Sequence, residues 1–303
     1  MTAVPIVAAN GIELYHEIHG PDEGEPLVLL CGLGSQIARW EQEWLDLLVG
    51  RGFRVVVLDN RDVGLSSWFD HIDLDPLTEF AKVFEGESPA SAYTLSDMAT
   101  DIAALMGAVG IARAHAVGLS MGGMIAQTLA IEHPDRVLSL TSIMSTTGEV
   151  GVGAPTPGAS EVLIETAPAD RDGYVDHCTE GTRVYGSDAF WDEEMVRALH
   201  RREYDRAFHP AGTGRHLLAV LASGSRAEGL RALDVPTVVV HGVVDPLVQV
   251  DGGRRTAELI PGAELVEVAD MGHDLPPEVW ETVADAITAV AARADVTPVG
   301  SAT

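Results

Sequence analysis

The chain has 303 residues, enough for one large α/β domain that carries an inserted segment. Hydrophobic residues make up 46% of the chain and charged residues 21%, which is typical of a globular protein and excludes a disordered or fibrous one. The 46 acidic and 19 basic residues give a formal net charge of −27, and because such a charge repels phosphate groups, we expect neither nucleic acid nor a membrane surface as a partner.

Neither a secretory signal nor a membrane span is predicted. The first residues, MTAVPIVAANG, contain no basic leader, and no apolar run is long enough to cross a bilayer. The two cysteines, Cys31 and Cys178, indicate no disulfide framework, which suits a reducing compartment. We therefore expect a cytoplasmic protein, with a homodimer left open.

The first predicted element is an antiparallel hairpin at the edge of a sheet. Apolar and polar residues alternate from Val4 to Gly20 around Asn10-Gly11, a dipeptide that suits the positive φ angles of a type I′ turn. Short apolar strands at 26–32 and 53–59 then flank an amphipathic stretch. This alternation predicts an α/β fold with a mostly parallel, doubly wound sheet.

A helix is predicted from Thr94, because Thr94 and Asp97 have the spacing of a capping box, and Gly110 ends the helical pattern. The next unit has the pattern of a strand, a tight turn and a helix and reads AHAVGLSMGGMIAQTLAIEHP. Another apolar strand, RVLSLTSIM, follows it.

Strand patterns then stop until about residue 226, and helical pieces separated by Gly and Pro take their place. We interpret residues 148–226 as a helical cap inserted into the α/β core. The core would then have two parts, residues 1–147 and 227–295. The last residues, 296–303, are expected to form a frayed tail.

Ser120 is the predicted nucleophile. It lies in GLSMG, a G-x-S-x-G pattern between the predicted strand and helix, where a nucleophile elbow requires it. A sharp turn holds such a serine in a strained backbone conformation, and side chains at Gly118 or Gly122 would collide with the neighbouring strand and helix.

A serine hydroxyl is a weak nucleophile at neutral pH and needs a general base, which an acidic group orients. His273 follows the last predicted strand, at the sheet edge where Ser120 emerges, and is the predicted base. Asp245 follows the strand VPTVVVHG and completes the chain order Ser, Asp, His. The alternative for Asp245 is an Asx turn before Pro246.

An oxyanion hole is predicted from the backbone N–H groups of Leu33 and Met121. Leu33 lies in the glycine-containing turn CGLG, and Met121 begins a helix whose dipole adds positive potential. The turn does not match a phosphate-binding loop, because Ile37 stands where that motif has its third glycine. No cluster has metal-ligand spacing either, so we predict no metal ion and no organic cofactor.

Other conspicuous residues have less specific interpretations. Arg61, between Asp59 and Asp62, is expected to fix its loop through a local ion pair, with lining of the substrate site as the alternative. Some of the aromatic residues after this loop and in the cap are expected to pack between cap and core, and the others to line an apolar pocket. They are Trp68, Phe69, Phe80, Phe84, Tyr93, Tyr174, Tyr185, Phe190, Trp191, Tyr204 and Phe208.

Several of these segments together resemble the α/β-hydrolase superfamily: the CGLG turn, DNRDVGLS at 59–66, the Ser120 elbow, HGVVDP at 241–246 and MGH at 271–273. The resemblance covers nearly the whole chain except the cap. Within the superfamily, the VGLSMG elbow and the MGHDLP ending are most similar to small esterases of the aclacinomycin methylesterase type.

The resemblance implies a serine esterase that hydrolyses a small-molecule carboxylic ester or lactone through an acyl-enzyme. Haloalkane dehalogenases and epoxide hydrolases are disfavoured, because they use Asp where this elbow holds Ser120. Many relatives have a histidine and a glycine where this chain has Cys31 and Asp62, a departure at the pocket edge. C–C bond hydrolysis, acyl transfer, perhydrolysis and ligand binding without turnover stay open.

Overall fold

The computed structural model describes residues 5–84 and 86–294. Val4 of the predicted hairpin and the predicted tail, 296–303, lie outside these residues. Within the described part, eight strands form one sheet. They are β1 (Ile6–Ala9), β2 (Ile12–His19), β3 (Glu25–Leu30), β4 (Phe53–Leu58), β5 (Ala114–Leu119), β6 (Val137–Ile143), β7 (Thr237–Gly242) and β8 (Glu264–Val268).

The sheet has the strand order β1-β2-β4-β3-β5-β6-β7-β8. The pairs β1–β2 and β2–β4 are antiparallel, and the others are parallel. Asn10 and Gly11 connect β1 and β2 with φ angles of 50° and 78°, the left-handed region that a type I′ turn requires. The predicted mostly parallel sheet with its N-terminal antiparallel hairpin is confirmed.

Eleven helices accompany the sheet in the described residues. They are α1 (Gln42–Gly50), α2 (Pro76–Phe84), α3 (Leu95–Ala108), α4 (Met121–Glu132), α5 (Pro157–Ile164), α6 (Arg171–Tyr185), α7 (Glu193–Arg206), α8 (Pro210–Ser223), α9 (Ala227–Arg231), α10 (Asp251–Leu259) and α11 (Trp280–Ala291). As predicted, the N–H of Asp97 donates to Thr94 and that of Thr94 to Asp97 before α3. No helix in the described chain combines the length and apolarity needed to cross a membrane.

The two faces of the sheet bury separate apolar clusters. In β3, Leu27 and Leu29 pack with side chains of α1 and α11, whereas Val28 and Leu30 pack with side chains of α3 and α4. Successive side chains of a strand point to opposite faces, so a strand that is apolar at every position must be covered on both. The core of the molecule is therefore a three-layer arrangement of helices, sheet and helices.

Residues 148–226, which we call the cap, lie between β6 and β7. In the described chain from β6 to β7 the regular elements are all helical, α5 to α9 with short turns. Helices α6 and α7 pack on each other, and α8 packs on α2 and α3. The division of the chain into core and cap at residues 147 and 226 stays a prediction.

Candidate active site

Ser120 occupies the turn between β5 and α4. Its φ and ψ angles are 55° and −120°, a conformation that a serine adopts only when its surroundings impose it. A Cβ atom on Gly118 would lie 2.1 Å from the carbonyl oxygen of Gly122, and one on Gly122 would lie 2.3 Å from that of Leu30. Both flanking positions therefore accept only glycine, as the sequence predicts.

The structure brings the side chains of the three predicted residues together. The Oγ of Ser120 lies 2.9 Å from Nε2 of His273, and Nδ1 of the same imidazole lies 2.7 Å from Oδ2 of Asp245. Asp245 follows β7 and His273 follows β8, while Ser120 follows β5. Because these strands are parallel, their carboxyl ends meet at one edge of the sheet.

Asp245 is held by its own turn. Its Oδ1 accepts hydrogen bonds of 2.9 Å from the backbone N–H groups of Leu247 and Val248, which is the Asx-type turn considered above. Burial alone would raise the pKa of this carboxyl, but the charge of His273 and the hydrogen bonds lower it to about 2. The group is therefore an ionised carboxylate at neutral pH. Its Oδ1 closes the turn, and its Oδ2 is available to accept a hydrogen bond from His273.

The two backbone amides of the predicted oxyanion hole lie in turns that meet at Ser120. A Cβ on Gly32 would be 3.3 Å from that of Ser120, so the turn after β3 passes close to the elbow. Among the described residues, neither the Leu33 N–H nor the Met121 N–H donates to an acceptor. Both donors are therefore available to a bound group near Ser120.

A cavity of about 700 Å³ lies over these groups, between the core and the cap. Ser120 and His273 border it, and most of its other surface is apolar. Among the predicted aromatic side chains that the structure describes, those of Phe80, Tyr174, Tyr185 and Phe208 line it. Trp40, Trp44 and Trp280 also line it, although no sequence pattern indicated them. Trp68 instead stacks on His209, with ring centroids 4.0 Å apart.

A family model described as the alpha/beta hydrolase fold matches residues 25–278. The chain belongs to the α/β-hydrolase fold family. It is 28% identical over 310 residues to the rhodomycin D methylesterase DauP of Streptomyces sp. (strain C5). The alignment covers 94% of this chain and 96% of that protein. The resemblance to this superfamily and to methylesterases of this type is thereby confirmed.

Two further similarities extend over most of this α/β hydrolase. A 2-hydroxy-6-oxononadienedioate/2-hydroxy-6-oxononatrienedioate hydrolase from Pseudomonas sp. is 25% identical over 267 residues, covering 86% of this chain and 87% of that protein. The crystal structure of the enol-lactonase from Burkholderia xenovorans LB400 superposes with a TM-score of 0.72 at 23% identity. That superposition covers 94% of this chain and 99% of the lactonase, and it shows the shared fold.

His216 of α8 supports the predicted oxyanion turn, a role that no sequence pattern indicated. Its Nδ1 accepts a 3.2 Å hydrogen bond from the N–H of Gly34, and its Nε2 donates a 2.7 Å bond to the carbonyl oxygen of Arg61. Burial lowers the pKa of the imidazole to about 4, so it is neutral at neutral pH, with the proton on Nε2. The cap thereby holds the turn that contains Leu33, across 182 residues of sequence.

We expect His216 to make the free energy of unfolding depend on pH. Its folded pKa of about 4 lies below the unfolded value of 6.5, so its contribution is complete above pH 6.5 and is lost as the pH falls towards 4. The loss amounts to about 3 kcal/mol, since one pKa unit corresponds to roughly 1.4 kcal/mol. Urea unfolding between about pH 7.5 and pH 4 measures it.

The matched variant for this measurement is His216→Asn. Its Oδ1 can replace Nδ1 as acceptor for Gly34, but the amide does not titrate. The variant is expected to lose the component of the pH dependence that His216 contributes. An unchanged slope in the variant would contradict the assignment.

Arg61 forms an ion pair, but the prediction of a neighbouring carboxylate as its partner is wrong. The guanidinium forms two 2.7 Å hydrogen bonds with the carboxylate of Asp101 in α3, and does not pair with either flanking carboxylate. Asp62 has a φ of 72°, in the left-handed region that few non-glycine residues adopt. Arg61 does fix the loop, but through a helix 40 residues away.

The two carboxylates beside Arg61 hold the cap instead. Asp62 accepts hydrogen bonds of 2.6 and 2.8 Å from Arg215 of α8 and one of 2.8 Å from Tyr93. Burial would raise the pKa of Asp62, but these donors lower it below its usual range. Asp59 lies 2.7 Å from Nη2 of Arg206 in α7. Buried charge pairs therefore connect this loop to two cap helices.

One group of side chains has the composition of a cation site. Oxygen or nitrogen atoms of Asp62, Asp70 and His209 lie within 4.8 Å of one another. Arg215 donates hydrogen bonds to both carboxylates, including one of 2.7 Å to Asp70. The positive charge that a cation would supply is therefore already present.

Proposed function

We propose that the protein is a serine hydrolase that cleaves a carboxylic ester or lactone through an acyl-enzyme intermediate. The observation that carries the proposal is the continuous hydrogen-bond chain from Asp245 through His273 to Ser120 at the floor of an apolar cavity. This arrangement of hydroxyl, imidazole and carboxylate is what nucleophilic acyl transfer requires.

In the proposed reaction, the Oγ of Ser120 attacks the acyl carbon while Nε2 of His273 takes the hydroxyl proton. The N–H groups of Leu33 and Met121 donate to the oxyanion of the tetrahedral intermediate. His273 then protonates the leaving alcohol, and the acyl-enzyme forms. A water molecule repeats these steps in the second half and releases the acid. Asp245 keeps the imidazole in the tautomer that accepts at Nε2.

Two further features support an ester of substantial size as the substrate. A cavity of about 700 Å³ is within the range of pockets that hold small molecules, roughly 300–1,000 Å³. The similarity to rhodomycin D methylesterases over 94% of the chain favours an ester among acyl substrates. The similarity to the dienedioate hydrolase makes C–C bond hydrolysis the second candidate.

The experiment that tests the proposal compares nitrophenyl esters, lactones and a 2-hydroxy-6-oxo-dienoate as substrates of the purified protein. We expect repeated turnover of an ester or lactone with kcat/KM of about 10⁴ M⁻¹ s⁻¹ or more, as for ordinary enzymes. Cleavage of the dienoate in the absence of ester cleavage would favour C–C hydrolysis. Release of one equivalent of product without further turnover would favour a binding protein.

A further inference from the structure

Arg39 presents unused hydrogen-bond donors to the cavity. It lies in the 3-10 turn at 37–39, shortly after the predicted oxyanion loop, and its Nε donates a 3.0 Å bond to Oγ of Ser35. The side chain is 27% exposed and borders the cavity. Neither terminal nitrogen of the guanidinium has a hydrogen-bond partner among the described residues. Up to four N–H groups thus remain available to a bound molecule.

Glu203 is the nearest carboxylate, but it does not use these donors. Its Oε1 lies 3.9 Å from Nε of Arg39, which is too long for a hydrogen bond. Its Oε2 lies 3.1 Å from Nδ1 of His200. Burial would raise the pKa of Glu203, but the charges of Arg39 and His200 lower it, so the group is a carboxylate at neutral pH.

His200 connects Glu203 to the rest of the cap. Its Nδ1 faces Oε2 of Glu203, and its Nε2 lies 3.1 Å from the hydroxyl oxygen of Thr182, which is 2.8 Å from the carbonyl oxygen of Cys178. Glu203 is therefore held within the cap, and its carboxylate leaves the two terminal nitrogens of Arg39 without a hydrogen-bond partner in the described chain.

Three other titratable side chains line the cavity near Glu203 and His200. Burial raises the pKa of the Tyr174 and Tyr185 hydroxyls above their usual range and that of the Cys178 thiol to about 11. All three are neutral at neutral pH. The unused donors of Arg39 thus border a mainly apolar cavity, where charged hydrogen bonds are stronger than in water.

We propose that Arg39 is a carboxylate-binding subsite, which selects ester or lactone substrates that carry a second, anionic carboxylate away from the scissile bond. The planar guanidinium presents paired N–H groups that match the two oxygens of a carboxylate. The apolar surface between Arg39 and Ser120 would hold the carbon frame of the substrate. The substrate class in this inference rests on the proposed esterase activity. The binding of a free carboxylate to Arg39 can be tested without that activity.

The test compares two esters of the same chain length, mono-p-nitrophenyl adipate and p-nitrophenyl hexanoate. In Arg39→Gln we expect the ratio of their kcat/KM values to fall about 10- to 100-fold, the usual effect of losing one charged hydrogen bond. Arg39→Lys keeps the charge and should restore part of the ratio. Arg171→Gln removes a charge from the cap surface and should leave the ratio unchanged, because Arg171 lies outside the cavity.

Binding of adipate itself, measured by calorimetry, separates this inference from the esterase proposal. Adipate contains no ester, so its affinity is independent of turnover. We expect Kd to rise about tenfold or more in Arg39→Gln, with thermal unfolding as a check on the fold. An equal Kd in wild type and variant would overturn the subsite even if esters are hydrolysed. If no ester is hydrolysed, only the proposed function fails.

Discussion

Substitution of Ser120 by alanine is expected to lower kcat by about 10⁴–10⁶ and to abolish labelling by a fluorophosphonate. The reason is geometric, because the Oγ of Ser120 is the oxygen 2.9 Å from Nε2 of His273. The Leu33 and Met121 amides remain in the variant, so a residual rate above that of water is expected. Steady-state kinetics on the preferred ester and gel-based labelling measure the two effects.

The fold of Ser120→Ala should be retained. Alanine has the same backbone strain as serine at a φ of 55°, and the N–H of residue 120 still donates to the carbonyl oxygen of Ile143, at 2.9 Å in the native chain. Ser96→Ala, at an exposed position of α3, is the matched control and should label normally. Full activity of Ser120→Ala would refute the proposed nucleophile.

Substitution of Asp245 by asparagine is expected to lower kcat by about 10⁴, because it reverses the tautomer of His273. The N–H groups of Leu247 and Val248 both donate to Oδ1, so the amide oxygen of an asparagine must stay on that side. Its nitrogen then faces Nδ1 of His273 and donates to it. The imidazole consequently carries its proton on Nε2 and cannot accept one from Ser120.

Asp270→Asn is the control for this experiment. Asp270 lies three residues before His273 and is exposed, so the same change of charge on the same loop should leave kcat unchanged. Rates are compared at several pH values. If the substitution acted only through the local charge, a change of pH would restore part of the lost rate. Activity of Asp245→Asn within tenfold of wild type would contradict the proposed role.

The loop that contains Arg61 connects the predicted oxyanion turn with the cap. Its Asp62 binds Arg215, and the carbonyl oxygen of Arg61 accepts from His216, which in turn accepts from Gly34 of the oxyanion turn. A rearrangement of α8 would therefore move the predicted oxyanion donor as well as the wall of the cavity. We therefore expect substitutions in α8 to change the rate as well as the substrate preference.

The fold and the proximity of the three candidate catalytic side chains were predictable because each follows from local rules. Apolar runs predict strands, and parallel strands bring their carboxyl ends to one edge, which places Asp245 and His273 beside Ser120. The glycines at 118 and 122 follow from a steric requirement of the same turn. The sequence by itself thus determined the architecture and the catalytic hypothesis.

The partners of the charged residues were decided only by the tertiary structure. Arg61 stands between two carboxylates in the sequence but pairs with Asp101, while those two carboxylates pair with arginines of the cap. His216 and Arg39 act on groups that are contributed by distant segments, and no short motif encodes such contacts. A side chain's direction in a loop depends on how the whole chain packs, and that information is absent from the spacing of residues.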